Sequence, residues 1–486
     1  MQGQLADSTM AVLPQWMARQ RWYTGKGQIP ALRRIGGLRL TDPAGMAEID
    51  VHILLDESGR TPTTYQVPLT SRSTPLPGGD HALVAAIEPG GDGLGTRYYY
   101  DAPHDPAFAA ALLSLMLDER TTELDGQGGD PEQGVEGKQR LCGAQGHRLA
   151  TTDPGEVLTS HVLVGEQSNT SIILDLVDIL GAPSKPLICK LFRVLAHGEN
   201  PDVMVQSALS AAGSTLVPGS LGYVWGQWPD PAAADGVACG HLAFVQEFLP
   251  GVEDAWRVAL AAVASGADFS QRAHSLGLAT AQIHETLART MGTQEATQDD
   301  IGALTRSMRA RHAAALSEVP ALAEYDQMVL KSIDAVASAR WPALQRIHGD
   351  YHLGQVLDVP GRGWVLVDFE GEPLRPLPER TRPDLALRDV AGMLRSFDYV
   401  AGSWDQGHAG RSAASWAGQA RAAFLDGYAI GAGRDPREDG VLLQALELDK
   451  ALYEVIYEAR NRPTWLDIPI SAIARLFAGR RSDLRS

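Results

Sequence analysis

Cysteine is scarce in this chain. Cys142, Cys189 and Cys239 are the only three in 486 residues, widely spaced and without a CxxC pair. That argues against a disulfide framework or a thiolate zinc site and predicts reduced thiols. Basic residues are also in deficit, with 42 Lys and Arg against 59 Asp and Glu, a formal charge of −17 and no long basic run. Such a field disfavours nucleic acid or an anionic membrane as partner, so any phosphate site must rely on local cations and metal ions. No apolar stretch approaches the ~18 residues of a membrane span. The opening MQGQLADSTMAVLPQW lacks a basic segment followed by an apolar one, as a secretion signal would need. The expectation is a soluble, cytoplasmic protein. Apolar content of 44% and charged content of 21% suit a globular chain, and the length predicts two or three packed units.

Residues 1–115 read as a first unit. A helix through LPQWMARQRWY is followed by alternating segments such as AEIDVHILL and TTYQVPL, which predict an antiparallel sheet. Asp105 can cap a helix that has Pro106 in its first turn. Trp16, Trp22 and Tyr23 are expected in the core of this unit, with Arg19, Arg21 and Lys26 facing solvent or lobe contacts. Residues 116–150 read as a linker or loop, rich in Gly, Asp and Gln. From 151 to 250 the order is strand, polar turn, strand, the Lys-bearing strand KPLICKLFR, a helix closed by Gly213, a strand and a Pro-Gly break. That is the layout of a small nucleotide-binding lobe. Residues 251–486 are mostly helical by their 3.6-residue apolar period.

The chemistry is concentrated in QRIHGDYHLGQVL (345–357) and VLVDFEGEP (365–373). Phosphoryl transfer needs a carboxylate near the attacking hydroxyl and hard oxygen ligands for Mg2+ on the nucleotide phosphates. Asp350 is the candidate base, and Gln355 and Asp368 are the candidate metal ligands. Glu370 is placed at a second Mg2+ or at the acceptor, and Glu372 with the acceptor. For both glutamates a solvated strand-end carboxylate is the alternative. His348 is expected to brace the loop, and His352 is ambiguous. Lys190, flanked by apolar residues on a strand, needs a counter-charge that nucleotide phosphates would supply. Ser168, Asn169 and Thr170 lie in a turn placed to cradle phosphates, and Gln246, Glu247 and Phe248 end a strand whose backbone could meet adenine.

These residues, with ARQRWYTGKG (18–27), VGEQSNTS (164–171), KLFR (190–193), RPDLALRDVAGMLRSFDY (382–399) and YEARNRPTWLDIP (457–469), resemble the aminoglycoside phosphotransferase-like kinases. The match is closer still to the actinobacterial maltokinases and runs from residue 18 to 469. The resemblance implies an α+β, two-lobed protein-kinase-like fold with an N-terminal cap subdomain and a mostly helical C-terminal lobe. It implies ATP and Mg2+ as cofactors and phosphorylation of maltose to maltose 1-phosphate for glycogen and α-glucan synthesis. Association with a trehalose/maltose-converting enzyme is a further expectation. Three departures stand out. The helix after the lysine strand begins Asn200-Pro201-Asp202-Val203-Met204 rather than with a segment bearing glutamate, Gln355 replaces the commoner Asn, and Asp467 stands where maltokinases often carry proline. A buried Asp467 would favour an amino sugar.

For the sugar acceptor, Arg388, Asp389, Glu454, Glu458, Arg460, Asn461, Trp465 and Asp467 supply the carboxylate, amide and aromatic groups that bind hydroxyls. The competing reading makes Arg388–Asp389 and Glu458–Arg460 ion pairs that hold helices together. A glucosamine or aminoglycoside kinase is the alternative activity, and a non-catalytic pseudokinase that acts by binding is the alternative class.

Overall fold

The computed structural model describes residues 2–88, 95–123, 142–163, 169–372, 375–408 and 410–478. The chain divides into an N-terminal unit, Met1–Val203 with Gly219–Pro250, and a C-terminal unit, Met204–Pro218 with Gly251–Ser486. The breaks read from composition near 115 and 150 therefore fall inside one unit. Strands Thr121–Glu123 and Cys142–Arg148 occupy the ends of the supposed linker, whose residues 124–141 lie outside the described residues.

Two antiparallel sheets build the N-terminal unit. The first runs Leu32–Leu40, Glu48–Asp56, Thr63–Arg72, Arg97–Asp101, Leu83–Ile87, with Val194–Leu195 added beside Thr63–Arg72. The second runs Thr121–Glu123, Cys142–Arg148, Ser220–Pro229, Val237–Glu247, Leu187–Phe192, Asn169–Val177, Glu156–Val162. Alternation in Glu48–Asp56 turns Ile49, Val51 and Ile53 to one face. They share a core with Phe108 and Leu112 of helix Pro106–Leu117 and with Leu174 and Leu242 of the second sheet. Asp105 caps that helix by accepting from the Ala107 N–H at 3.0 Å, and its carboxylate also takes both Arg72 nitrogens at 2.7 Å.

Polar groups tie the sheets together. Gln66 Nε2 donates to the carbonyls of Phe192 and Leu242, both at 3.0 Å. Arg193 is fully buried; its Nη2 donates to both Asp101 oxygens at 2.9 and 2.7 Å and its Nε to Thr170 Oγ1 at 2.8 Å. Trp16, Trp22 and Tyr23 pack with Leu54, Tyr65 and Val67, as their spacing predicts. The helix itself starts and ends earlier than expected. It spans Gln2–Met17, and beyond it the Lys26 ammonium takes the Gln20 and Arg21 carbonyls at 3.0 and 2.7 Å, which would otherwise serve further helical turns.

The C-terminal unit is helical. Its core gathers Leu276 and Ile283 from helix Ser270–Met291, Leu394 and Phe397 from Leu387–Gly407, Phe424 from Ala414–Ala432 and Val455 from Gly440–Asn461. Helices Ser270–Met291 and Ala414–Ala432 pack backbone to backbone. A Cβ at Gly277 would sit 2.1 Å from the Phe424 carbonyl oxygen, and one at Gly427 would sit 2.0 Å from that of His274. A small antiparallel sheet, Glu253–Asp254, Val356–Val359 and Gly363–Leu366, carries the two motif segments.

Candidate active site

The loop around Asp350 is held from beneath by Asp389, a residue the sequence reading assigned to the acceptor. Asp389 is buried in the first turn of helix Leu387–Gly407. Its carboxylate accepts from the backbone N–H of His348 at 2.8 Å and of Gly349 at 2.9 Å, and lies 3.0 Å from His284 Nε2. Burial pushes this carboxyl up, but His284, His348 and the Gly349 amide hold it below its ordinary value. With both oxygens engaged and no exposed edge, Asp389 positions the loop and does not face a ligand. Gly349 supplies the left-handed turn, φ +85°, that brings the two amides onto one carboxylate.

His348 braces the loop as expected: Nε2 lies 3.0 Å from the Val367 carbonyl, and the ring packs on Phe369 with centroids 4.7 Å apart. Tyr351 is buried and bonded to Thr280 Oγ1 at 2.9 Å. His352 accepts from the Gly354 N–H at 3.0 Å, so it caps the short turn before Gln355; burial lowers its pKa.

Asp350 keeps 22% of its side chain exposed, and its partner is a residue that motif reading missed. Lys450 Nζ donates to Asp350 Oδ1 at 3.1 Å and to Glu372 Oε1 at 3.2 Å. Burial pulls the Lys450 pKa down, but Asp350 and Glu372 outweigh it and the net shift is upward. The ammonium is therefore permanent near neutral pH. Glu372 in turn meets Arg375 at 2.9 Å, and although burial raises its pKa, Lys450, Arg375 and Arg311 bring it to about 2. Lys450 lies one helical turn before Glu454, a spacing that placed it on the same face.

Gln355 and Asp368 are brought together. Gln355 Nε2 lies 3.1 Å from Asp368 Oδ2, and the Val367 N–H donates to the Gln355 carbonyl at 3.0 Å. Asp368 has φ +68°, one of two non-glycine residues with positive φ among the described residues. Such a conformation costs on the order of 1–3 kcal/mol and persists where the surroundings impose it. An amide and a carboxylate side by side form a hard oxygen donor set suited to Mg2+, which keeps water and phosphate oxygens as its other ligands. Glu370 is half-buried, and its carbonyl takes Arg380 Nη1 at 3.0 Å.

In the N-terminal unit Lys190 has a protein counter-charge. Its Nζ lies 2.8 Å from Asp202 Oδ2, with side chains 10% and 2% exposed. Asp202 thus fills the role expected of a glutamate, from the first turn of helix Pro201–Ala211. The helix start is fixed by His241, whose Nδ1 accepts from the Asn200 N–H at 3.0 Å, and by Asn200 Oδ1, which accepts from the Asp202 N–H at 2.9 Å.

Strand register corrects the phosphate turn. Lys190 pairs with Ser171, so Ser171 and Asn169 share the lysine face while Thr170 points to the other. There the Thr170 hydroxyl is taken by Arg193, so Thr170 does not serve a phosphate beside Lys190. Ser168 lies outside the described residues. The adenine assignment also changes: the N–H groups of Glu247 and Phe248 already donate to the carbonyls of Gly219 and Pro186, at 2.8 and 3.0 Å, and Gln246 is buried. Those two amides are not offered to a base.

Most acceptor candidates are structural. Arg388 pairs with Asp384 at 2.6 Å and Asp449 at 3.4 Å. Glu454 takes Arg395 at 2.6 Å inside a buried network with Asp398, Arg421 and Glu447. Glu458 is buried against Arg462 at 2.7 Å, whose guanidinium stacks 4.7 Å from the Trp465 ring centroid. Arg460 reaches Glu318 at 2.6 Å, and Asn461 donates to the Tyr457 carbonyl at 2.8 Å. Asp467 is exposed, not buried, and borders a cavity of about 490 Å³ with Asp398, Asp405, Arg421 and Arg475. Of the nine, Glu372 alone is joined to Asp350 through a shared partner.

Comparison with known proteins fits this arrangement. Residues 16–105 match the maltokinase N-terminal cap domain, and residues 207–439 match the phosphotransferase enzyme family. A glucosamine kinase of Mycolicibacterium smegmatis is 30% identical over 345 residues, 64% of this chain and 78% of that one. The chain belongs to the phosphotransferase enzyme family. A second relative of this phosphotransferase, a glucosamine kinase of Streptacidiphilus jiangxiensis, is 29% identical over 388 residues, 71% of this chain and 82% of the other. A solved glucosamine kinase in complex with glucosamine, ADP and inorganic phosphate has a TM-score of 0.56 at 25% identity, covering 68% of the phosphotransferase and 83% of that chain. Another glucosamine kinase structure covers 95% of this chain and 98% of its own, TM-score 0.63 at 21% identity, and shows the shared protein-kinase-like fold.

Proposed function

We propose that this phosphotransferase transfers the γ-phosphoryl group of ATP to a hydroxyl of a sugar, with glucosamine as the acceptor. The observation that carries the reading is the pairing of a partly exposed Asp350 with Lys450, on the loop whose far end sets Gln355 beside Asp368. In the step, the acceptor oxygen forms a bond to the γ-phosphorus, the bond to the ADP oxygen breaks, and Asp350 takes the hydroxyl proton. Lys450 occupies one carboxylate oxygen and leaves Oδ2 without a hydrogen bond among the described residues. That oxygen is the one to receive the proton. Gln355 and Asp368 would hold Mg2+, which when bound offsets the charge of the nucleotide phosphates. Within the N-terminal unit, Lys190, aimed by Asp202, is the cation suited to bind phosphate oxygens.

Support for glucosamine is the pair of relatives at 29% and 30% identity and the solved relative that holds glucosamine. Maltose is the second reading, favoured by the cap-domain match. The cap does not separate the two acceptors, because a glucosamine kinase fold covers 95% of the chain, cap included. ADP release should be measured with glucosamine, maltose and kanamycin. Turnover highest on glucosamine is expected; highest turnover on maltose would reverse the order. Asp350→Ala should lower kcat by roughly 10²–10⁴-fold, with ATP affinity retained. Undiminished turnover in that variant would end the assignment of the base.

A further inference from the structure

The N-terminal unit carries a polar cavity of about 400 Å³ at the end of the second sheet, lined there by residues 160–163, Asn169 and Thr170 and not by Lys190. That volume lies in the range of small-molecule sites, ~300–1,000 Å³. In a chain of formal charge −17, two arginines, Arg19 and Arg21, line it together with His81, His104 and His161, and burial lowers the His104 pKa, which keeps that ring neutral. Among the described residues its one carboxylate, Asp101, is already held through both oxygens by Arg193. Arg19 and Arg21 are exposed, and no carboxylate pairs with either among the described residues.

Two buried polar atoms at this wall have no hydrogen-bond partner among the described residues. One is Ser160 Oγ, in the wall itself. The other is Nη1 of Arg193, which contacts the wall residues Asp101, Thr170 and Trp22 through its remaining atoms. Buried polar atoms are nearly always satisfied, and of these two the Ser160 hydroxyl is the one that lines the cavity and could meet a bound group there. His81 Nδ1 lies 3.1 Å from the Gly78 carbonyl and its Nε2 lies 3.2 Å from His104 Nδ1, so both ring nitrogens of His81 are already engaged. Two guanidinium groups without a carboxylate partner and the Ser160 hydroxyl supply donors, beside the side-chain amides of Gln20 and Asn169. Forked guanidinium donors match the oxygens of a tetrahedral dianion.

We infer that this cavity binds a phosphate group, free or as a phosphate monoester, separately from the nucleotide site. The test is calorimetry on the full chain saturated with a non-hydrolysable ATP analogue and Mg2+, so that the nucleotide site is filled. Inorganic phosphate and glycerol 3-phosphate are titrated in separate arms, with glycerol as the uncharged control. Saturable binding of either anion, and none of glycerol, is expected. The stronger arm tells a free ion from a monoester. Arg19→Ala/Arg21→Ala should weaken that binding about tenfold or more, and both side chains are exposed, so folding is checked simply by circular dichroism. Ser160→Ala should weaken it less. Absence of saturable binding in both arms, or equal affinity in the arginine variant, overturns the inference.

Discussion

Lys450 changes how the site works at the scale of single residues. Its ammonium fixes the position of the Asp350 carboxylate and sets a permanent positive charge beside it. Lys450→Met would leave Asp350 and the buried Glu372 without their shared cation; breaking such a pair costs on the order of 3–5 kcal/mol when it is buried. We expect kcat to fall about 10²-fold or more with little change in the KM for ATP, measured by ADP release. A rise in the ATP KM alone would place Lys450 with the nucleotide instead. The motif segments made Asp350, Gln355 and Asp368 legible in the sequence because their chemistry dictates residue type and close spacing. Lys450 was not legible, since its partner is 100 residues away. Asp202 was within reach: it lies in the helix start already singled out, but its carboxylate is shorter than the glutamate expected there, and only the helix placement shows that it reaches Lys190. Arg388, Glu454 and Glu458 failed for the opposite reason, because carboxylate–guanidinium pairs look alike in sequence whether they bind sugars or join helices.

At the scale of elements, periodicity gave the long helices and the capped helix Pro106–Leu117 correctly. It missed strands Thr121–Glu123 and Cys142–Arg148, which are short and polar and owe their conformation to neighbours in the sheet. Glycine in helix Ser270–Met291 is a weak helix former, and its reason lies in the helix beside it. Gly277→Ala would force a methyl group onto the Phe424 carbonyl, and the helices would have to separate. The expected loss is about 1–3 kcal/mol in denaturant unfolding. That exceeds the helix-propensity gain of ~1 kcal/mol that alanine brings in an open helix. A variant as stable as the parent would mean that the two helices can shift apart freely.

For the whole molecule, His241 and Glu372 are two groups that contribute to the loss of stability in acid. His241 is buried, and burial lowers its pKa from 6.5 to about 4. Between those values the unfolded chain binds a proton that the folded chain refuses. The contribution is therefore complete above pH 6.5 and disappears as pH falls toward 4, on the order of 3 kcal/mol in all. Glu372 follows the same sign lower down, from 4.5 to about 2. His241→Gln retains an oxygen to accept from the Asn200 N–H and should flatten the decline between pH 6.5 and 4.5, read from thermal midpoints. Parallel curves for parent and variant would remove His241 as the cause. Finally, Arg193 links Asp101, at the end of a strand of the first sheet, to Thr170 in the second with no solvent contact. Cutting the chain between the sheets would strand a bare cation on one piece and a bare anion on the other. The cap is consequently not an accessory that evolution could bolt on or discard alone: amide hydrogen exchange should find both sheets opening together, as one cooperative block.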